Sequence, residues 1–282
     1  MGNIIDGKLV ANSIKQAVKQ EVEEFHKKHI KPCLAVILVG ENPASLVYVN
    51  NKQKTCHELG IESKSIIIPE DFGQENLLDV IKDLNEDPAI NGILCQLPLP
   101  AGYDEQAIIE AINPVKDVDA FHPINVGRIV TGDYTFLPCT PAGVMEMLQY
   151  YNIDITGKEC VVVGRSNIVG KPMSMLLLHK NGTVTTAHSK TKNLAEVCRR
   201  ADVLVVAVGK PGFITADMVK DGAVVIDVGI NRDESGKLYG DVDFENVSRK
   251  TSWITPVPGG VGPMTIAMLM KNTVTATKLQ NS

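Results

Sequence analysis

Residues 161–170, Val-Val-Val-Gly-Arg-Ser-Asn-Ile-Val-Gly, are the stretch that decides the fold. The valines predict a buried strand, and Gly164 and Gly170 bracket a short loop. Residues 170–180 predict a helix, with Pro172 tolerated in its first turn. A strand, a glycine-containing loop and a helix N-terminus together point backbone N–H groups at a phosphate. Because the glycines are spaced more widely than in the compact GxGxxG motif, this stretch alone predicts a nucleotide site and an ordinary turn about equally well.

Segments on both sides of this stretch alternate between strand-like and helix-like patterns. Such alternation predicts right-handed βαβ units and parallel sheets. Residues 119–140 break the pattern, being rich in turn residues and weakly periodic, which is typical of a passage between domains. We therefore expect an α/β protein of two domains. The predicted strands are 33–39, 65–68, 92–97, 160–163, 183–187, 203–208 and 223–228, and the predicted helices are 8–29, 43–59, 75–85, 104–112, 141–151, 170–180, 194–200 and 264–278.

Composition and charge restrict the class of protein. The 282 residues include 28 basic and 33 acidic side chains, so the net charge of −5 argues against nucleic-acid or anionic-membrane partners. No apolar run approaches the roughly 18 residues of a membrane span, and the N-terminal residues have no signal-peptide pattern. Six cysteines without a CxxC pair, and six histidines without a ligand cluster, predict that there is no metal site. We expect a cytoplasmic protein.

The region after the second strand of the C-terminal half indicates which nucleotide would bind. NAD-binding folds place an acidic residue there, about 20 residues after the glycines, to accept the ribose 2′-hydroxyl. This chain has His188, Ser189 and Lys190 instead, and Arg165 lies just inside the turn. A guanidinium can bind a phosphate through two parallel hydrogen bonds, and a serine hydroxyl can donate another. The pattern favours NADP over NAD; the alternative is a solvated loop arginine.

Tyr48 and Lys52 lie four residues apart in the sequence Tyr-Val-Asn-Asn-Lys. Short-chain dehydrogenases use a Tyr-x-x-x-Lys pair in hydride transfer, but their nucleotide turn precedes the pair, whereas here the pair comes first. The pair must therefore belong to a separate N-terminal substrate domain. On a helical wheel of about 100° per residue, Lys52 falls between the apolar Leu59 and Cys56. A partly buried lysine can act as a base or proton relay; the alternative is a lysine whose ammonium group reaches solvent.

Polar residues also occur at two other notable places in the N-terminal half. Gln96 follows the apolar run Gly-Ile-Leu-Cys near the carboxyl end of a predicted strand, where open α/β sheets bind ligands. Asp117 and Asp119 lie at the start of the turn-rich passage, where aspartate often closes turns. Each residue has a structural explanation by itself, and together they predict a polar pocket.

Eight motifs follow one another along essentially the whole chain. They are Val-Gly-Glu-Asn-Pro-Ala-Ser (39–45), Tyr-Val-Asn-Asn-Lys (48–52), Gln-Leu-Pro-Leu-Pro (96–100), Lys-Asp-Val-Asp (116–119), Pro-Cys-Thr-Pro (138–141), Gly-Arg-Ser-Asn-Ile-Val-Gly-Lys-Pro (164–172), His-Ser-Lys (188–190) and Pro-Gly-Gly-Val-Gly-Pro-Met-Thr (258–265). With these motifs the chain resembles the bifunctional methylenetetrahydrofolate dehydrogenase/cyclohydrolase family. The resemblance implies oxidation of 5,10-methylenetetrahydrofolate to the 5,10-methenyl cation with NADP, and then hydrolysis to 10-formyltetrahydrofolate. It also implies a homodimer.

The same resemblance implies roles for individual residues. Lys52 would be the central catalytic residue and manage protons in the hydrolysis, Gln96 would hydrogen-bond it, and Tyr48 would stack on or orient the folate. Asp119 would hold the pterin edge, since a carboxylate accepts two N–H bonds. The implied cofactor-binding residues are Gly164, Arg165, Ser166, Ser189 and Ile230, with Arg165 and Ser189 at the 2′-phosphate; the implied substrate-binding residues are Tyr48, Asp119, Gly259, Gly260 and Gly262.

Within this resemblance we expect residues 1–139 and 265–282 to form a folate-binding catalytic domain. Residues 140–264 would form a Rossmann-type parallel-sheet domain that binds NADP. One departure is Ala120, which stands where the family usually has glycine. If that position needs a positive φ, alanine costs roughly 1–2 kcal/mol.

Two alternative functions remain at this point. The first is a monofunctional dehydrogenase with weak cyclohydrolase activity. The second is a catalytically silent NADP- or folate-binding protein. The presence of Tyr48, Lys52 and Gln96 argues against the silent protein, because losing any of them would have favoured it.

Overall fold

The protein folds into two compact units, as seen in a computed structural model that describes residues 1–233 and 235–282. The first unit contains Met1–Asn12 and Pro138–Met268, and the second contains Ser13–Leu137 and Leu269–Ser282. Each unit has its own parallel sheet with helices packed against it. The predicted α/β class is confirmed.

Helices and strands alternate along most of the chain. The strands are β1 (Asn3–Ile4), β2 (Cys33–Val39), β3 (Glu62–Ile68), β4 (Gly92–Cys95), β5 (Glu159–Val163), β6 (Thr183–Ala187), β7 (Val203–Val206), β8 (Val224–Asp227), β9 (Asn231–Arg232), β10 (Leu238–Tyr239) and β11 (Trp253–Ile254). The helices are α1 (Gly7–Lys27), α2 (Pro43–Leu59), α3 (Gln74–Glu86), α4 (Glu105–Ala111), α5 (Pro123–Thr131), α6 (Cys139–Tyr150), α7 (Gly170–His179), α8 (Leu194–Arg199), α9 (Phe244–Val247) and α10 (Val261–Gln280). Across the residues that the structure describes, none of the helices combines the length and apolarity needed to cross a membrane.

The first unit is organised by a six-stranded, wholly parallel sheet in the order β1-β11-β8-β7-β5-β6. All residues of β7 and β8 are buried, as expected for parallel strands covered on both faces. The edge strand β1 explains why residues 1–12 join this unit rather than the N-terminal domain expected from the sequence. Asn3 and Ile4 pair with Trp253 and Ile254 of β11, and a strand of two residues has no sequence pattern of its own.

The second unit has a three-stranded parallel sheet in the order β3-β2-β4. The central strand β2 is buried along its whole length, and α3 packs its apolar stripe, Leu77, Ile81 and Leu84, into the same core. The edge strand β3 begins three residues earlier than predicted. Its first residues are polar and exposed because β3 pairs on one side only, so they carry no apolar signal.

Helix α5 lies inside the passage that the sequence predicts to be irregular. His122 caps its N-terminus by accepting from the Ile124 N–H, and Pro123 occupies its first turn. Gly132 ends it with φ 79°, the left-handed conformation typical of a residue after a helix. A proline just inside and a glycine just beyond a short segment is the sequence signal of such a helix. The expectation of an irregular passage was therefore wrong for residues 123–131.

Gly127, on the exposed face of α5, offers a test of local stability. A Cβ atom added there would meet no heavy atom within 4 Å. Because glycine in a helix costs about 0.5–1 kcal/mol relative to alanine, Gly127→Ala is expected to raise the Tm by about 1–3 °C. Thermal unfolding followed by circular dichroism measures this. Gly143→Ala in α6 is the matched opposite, because its Cβ would lie 2.6 Å from Met264 Cβ, and a lowered Tm is expected. Equal shifts in the two variants would contradict the packing argument.

Candidate active site

Lys52 and Gln96 form a hydrogen-bonded polar pair in the second unit, in which Lys52 is buried and Gln96 is half-buried. Lys52 lies on α2 with 9% of its surface exposed, and its Nζ donates to Gln96 Oε1 at 2.8 Å. Gln96 directly follows β4, and its Nε2 donates to Leu97 O at 2.7 Å. Both polar atoms of the glutamine amide are therefore used, and its oxygen is fixed toward the lysine. The lysine is buried and hydrogen-bonded inside the unit, whereas the alternative interpretation had its side chain extend into solvent.

The chemical character of this pair follows from the partner that Lys52 has. Within residues 1–233 and 235–282, no carboxylate forms an ion pair with Lys52. A lysine held by a neutral amide can gain or lose a proton without breaking an ion pair. Such a group is suited to general acid–base catalysis.

Tyr48 lies one helical turn before Lys52 on α2, and its side chain is 42% exposed. Residues four apart on a helix are neighbours on its surface. The exposed aromatic ring therefore lies next to the buried amine. An aromatic face beside a polar group is the arrangement needed to stack a flat, hydrogen-bonding ligand.

Asp117 is a buried acid that organises the turn between α4 and α5. Its carboxylate accepts from the backbone N–H groups of Phe121 and His122 and from Asn125 Nδ2, the last two at 2.8 Å. Burial raises the pKa of Asp117, and these three hydrogen bonds act in the opposite direction. With its acceptor positions used inside the protein, Asp117 is a structural residue.

The turn that Asp117 supports presents Asp119, which is half-buried. Ala120 closes the turn by donating its N–H to Asp117 O at 3.2 Å, and it has φ 58°. A positive φ is the condition for a conformational cost at position 120, and Ala120 meets it. The left-handed conformation costs an alanine roughly 1–2 kcal/mol, so the turn is held by the hydrogen bonds around it.

Lys116, which directly precedes Asp117, has a structural function, unlike Lys52. It is buried, and its Nζ donates to Leu84 O at 3.0 Å and to Asp87 O at 2.8 Å. Burial lowers the pKa of Lys116. These bonds satisfy carbonyl groups at the C-terminal end of α3, as lysine near a helix end often does.

The predicted phosphate turn of the first unit connects β5 to α7. Gly164 has φ 137°, and a Cβ atom on it would lie 2.4 Å from Ala207 O. A Cβ on Gly170 would lie 2.3 Å from Gly164 O, so the loop folds back onto itself at Gly170 and packs against the residue after β7 at Gly164. Ser166 Oγ accepts from the N–H groups of Val169 and Gly170 and shapes the entry to the helix. The result is a tight turn at a helix N-terminus, which is a fitting cradle for a pyrophosphate.

Arg165 and Ser189 lie at the same edge of the six-stranded sheet. Strands β5 and β6 are adjacent, and Val163 of β5 pairs with Ala187 of β6. Arg165 lies two residues after Val163, and Ser189 lies two residues after Ala187. Both side chains are exposed. The Arg165 guanidinium makes no hydrogen bond or ion pair with any described residue. A cation and a hydroxyl beside the phosphate turn fit the predicted 2′-phosphate contact.

Family models match both halves of the chain. The model described as tetrahydrofolate dehydrogenase/cyclohydrolase, catalytic domain, matches residues 5–119. The model described as tetrahydrofolate dehydrogenase/cyclohydrolase, NAD(P)-binding domain, matches residues 138–281. The chain belongs to the tetrahydrofolate dehydrogenase/cyclohydrolase family. The family predicted from the sequence motifs is confirmed.

Relatives of known name and structure resemble this family member over nearly their whole length. Bifunctional protein FolD of Acetivibrio thermocellus is 63% identical over 277 residues, which cover 98% of this chain and 97% of that protein. The crystal structure of the bifunctional enzyme FolD, methylenetetrahydrofolate dehydrogenase/cyclohydrolase, from Campylobacter jejuni is 52% identical, with a TM-score of 0.97 and 99% of each chain covered. The Trypanosoma brucei methylenetetrahydrofolate dehydrogenase-cyclohydrolase, complexed with NADP cofactor and an inhibitor, is 39% identical with a TM-score of 0.95, covering 99% of this chain and 98% of that one.

In this dehydrogenase/cyclohydrolase chain, residues predicted separately for cofactor and substrate lie together in the first unit. Gly259, Gly260 and Gly262 belong to the loop after β11 and the start of α10. Ile230, 43% exposed, follows β8. A Cβ added to Gly262 would lie 3.4 Å from Ile230 Cδ1, so the two positions are neighbours. Of the other predicted residues, Tyr48, Lys52, Gln96 and Asp119 belong to the second unit, and Gly164, Arg165, Ser166 and Ser189 to the first.

Two buried acids of this family member, Asp227 and Asp241, were not among the residues predicted from the sequence. Asp227 directly follows the apolar residues Val-Val-Ile of β8. An acid at the end of a buried strand is the sequence signal by which it could have been found. Burial raises the pKa of Asp227 to about 7; three backbone N–H groups lower it, and the neighbouring Asp241 raises it. Asp241 lies in an irregular segment, where the sequence alone gives no sign that it is fully buried.

Proposed function

We propose that this chain oxidises 5,10-methylenetetrahydrofolate with NADP and then hydrolyses the 5,10-methenyl product to 10-formyltetrahydrofolate. The observation that carries the proposal is the 2.8 Å hydrogen bond from the buried Lys52 to Gln96, within the residues that match the family's catalytic domain. A silent binding protein has no need for an amine that is buried without an acidic partner. Burying such a group costs stability, and a catalytic step justifies that cost.

The oxidation removes a hydride, with its electron pair, from the methylene carbon. When bound, NADP supplies the acceptor for that hydride. In this proposal the turn between Gly164 and Gly170 holds the pyrophosphate, and Arg165 and Ser189 bind the 2′-phosphate. Ile230 contacts the nicotinamide end. The chain's contribution to this step is to hold two ligands in a reactive geometry, which alone can supply a large part of the rate.

The hydrolysis adds water to the methenyl carbon and breaks the bond from that carbon to N5. One proton of the water ends on N5. The other is released as H⁺, which carries away the positive charge of the methenyl cation, so the formyl product is neutral at this centre. Lys52 receives a proton from the attacking water and passes one on as the ring opens, while Gln96 holds the amine in place. Tyr48 stacks on the folate, and Asp119 accepts N–H bonds from the pterin. The backbone at Gly259, Gly260 and Gly262 lies against substrate and cofactor.

An absorbance assay with methylenetetrahydrofolate and either NADP or NAD, read before and after acid quench, tests both steps. Acid converts 10-formyltetrahydrofolate back to the methenyl cation, so the gain on quenching measures hydrolysis. Reduction of NADP with a gain after acid is the expected result. Methenyl product that accumulates before acid, without a gain, would mean a monofunctional dehydrogenase. No reduction of either nucleotide would refute the proposal.

Arg165→Ala is expected to weaken NADP binding about 10- to 100-fold and to leave NAD binding nearly unchanged. A hydrogen bond between a guanidinium and a phosphate is charge-assisted, so losing it weakens binding strongly. NAD has no 2′-phosphate and therefore loses no such contact in the variant. Titration of each nucleotide by calorimetry measures the two affinities. Lys171→Ala is the matched control, because Lys171 is an exposed cation at the start of α7 whose Nζ donates to Asn167 Oδ1. Its loss should leave the ratio of the two affinities unchanged. An equal loss of NAD binding in Arg165→Ala would contradict the assignment.

We also propose a homodimer in a reducing, cytoplasmic compartment. The dimer is supported by the resemblance across the whole chain. Light scattering after size-exclusion chromatography measures the mass in solution, and a value near the 30.5 kDa of one chain would overturn the dimer. The compartment is supported by six free, buried cysteines. Fractionation of the source cells that recovers the protein outside the cytoplasm would contradict it.

A further inference from the structure

Asp241 is fully buried, and its carboxylate accepts four N–H hydrogen bonds. Its Oδ2 accepts from the backbone N–H groups of Val208 at 2.7 Å and Gly209 at 2.9 Å. Its Oδ1 accepts from the Lys210 N–H at 2.8 Å and from Asn231 Nδ2 at 2.9 Å. Four donors match the acceptor capacity of an ionised carboxylate, and a side-chain amide, which has only one oxygen, cannot reproduce them.

The four donors belong to two different segments of the chain. Residues 208–210 come just after β7, and Asn231 comes a few positions after the end of β8. Strands β7 and β8 are adjacent and parallel, so both segments leave the sheet at its carboxyl edge. Asp241 therefore ties the loop after β7 to the start of β9, at the edge where open α/β sheets bind their ligands.

Asp227 fixes Asp241 in turn. It is the last residue of β8, and it is buried. Its Oδ1 accepts from the N–H groups of Gly229 and Asp241 at 3.0 and 2.9 Å, and its Oδ2 accepts from the Val242 N–H at 2.9 Å. The backbone that carries Asp241 is thus anchored to β8, and the Asp241 carboxylate has little freedom to move.

The strand order assigns the two halves of a dinucleotide to different parts of this edge. The phosphate turn follows β5 and contains Arg165. Ser189 follows β6, which is the strand next to β5 at the end of the sheet. A 2′-phosphate bound there places the adenosine half toward β6. The nicotinamide half must then extend the other way, across β7 and β8, which lie about 5 and 10 Å from β5 at the usual strand spacing.

We propose that Asp241 is a positioning residue for the nicotinamide half of the cofactor. By joining the loop after β7 to the segment after β8, it holds the surface on which that half lies, including Ile230 next to Asn231. The inference rests on the proposed function, because it takes NADP as the ligand of the turn after β5. Asp241 acts through these backbone segments and does not contact the reacting atoms.

The test compares Asp241→Asn with the matched variant Asp243→Asn. Asp243 lies two residues further on, where its carboxylate caps α9, and asparagine is an equally good cap. For each protein, calorimetry measures the affinity for NADP and for its adenosine half, 2′-phosphoadenosine 5′-diphosphate. Asp241→Asn is expected to weaken NADP binding about tenfold or more, as loss of charge-assisted bonds does, and to change binding of the adenosine half less than about twofold. Asp243→Asn should change neither.

Equal weakening of both ligands, or of neither, would overturn the inference, because a general loss of the fold affects both halves alike. If Asp241→Asn does not fold, Asn231→Ala decides, since it removes only one of the four donors and leaves the acid in place. This variant should weaken NADP binding a few-fold at unchanged affinity for the adenosine half, and the same two contrary outcomes apply. A wild-type protein that binds the adenosine half and NADP equally well but reduces no NADP would instead refute the proposed function.

Discussion

Replacing Lys52 by methionine is expected to reduce hydrolysis of methenyltetrahydrofolate by about 100- to 10,000-fold, which is the contribution that a positioned acid–base group makes. Methionine has a similar length and no proton to exchange. The fold should survive, because the variant loses one hydrogen bond, worth about 1 kcal/mol, and no longer buries an amine without an acidic partner. Hydride transfer to NADP should fall much less, since the cofactor supplies that chemistry.

The matched control for this prediction is Lys54→Met. Lys54 lies two residues further along α2, but its side chain is 77% exposed and its Nζ is 4.0 Å from Glu58 Oε1. A surface ion pair of this kind contributes little, so the control should keep both activities and its Tm. The measurement is the initial rate of decay of the methenyl absorbance, with folding checked by circular dichroism. Native-like spectra with undiminished hydrolysis in Lys52→Met would remove the lysine from the mechanism.

The parts of the fold that the sequence predicts best are those whose signal is local. The buried strand Cys33–Val39 and the helix Pro43–Leu59 have the bounds that were predicted. The strand is a continuous apolar run because neighbours cover it on both faces. The helix ends before Gly60, which has φ 77° and provides the left-handed residue that closes a helix. Neither inference needs any information about the rest of the chain.

The parts that could not be predicted depend on partners far along the chain. Strand β1 exists only because Asn3 and Ile4 meet β11, and two residues carry no periodicity. The burial of Asp241 depends on donors from the loop after β7 and from Asn231 at the start of β9, which the sequence does not show to be adjacent. For the candidate site, the helical wheel placed Lys52 among apolar residues but left open a lysine that reaches solvent. Gln96 was noted from its position at the end of a strand, and its pairing with Lys52 came from family resemblance, because no local pattern links α2 to the end of β4.

Gly170→Ala is expected to weaken NADP binding by about 100-fold or more while leaving hydrolysis of the methenyl substrate nearly intact. The added Cβ would lie 2.3 Å from Gly164 O, 2.5 Å from Gly164 C and 2.7 Å from Arg165 N. All three are backbone atoms, so no side chain can rotate away, and the turn must move by roughly 1 Å to restore van der Waals contact. A misplacement of that size costs about 100-fold in rate where it affects reacting groups, and we expect a loss of similar size for a pyrophosphate held by the backbone of this turn.

Hydrolysis should persist because Lys52 and Gln96 belong to the other unit and the step uses no nucleotide. Calorimetry with NADP and the methenyl decay assay measure the two functions on the same preparation. Gly127→Ala serves as the control, because it adds the same methyl group where nothing lies within 4 Å, and it should preserve both functions. Unchanged NADP affinity in Gly170→Ala would show that the turn after β5 does not hold the cofactor. Loss of both functions with a lowered Tm would show that the close approach of Gly170 to Gly164 serves folding, so that the two activities cannot be separated at this turn.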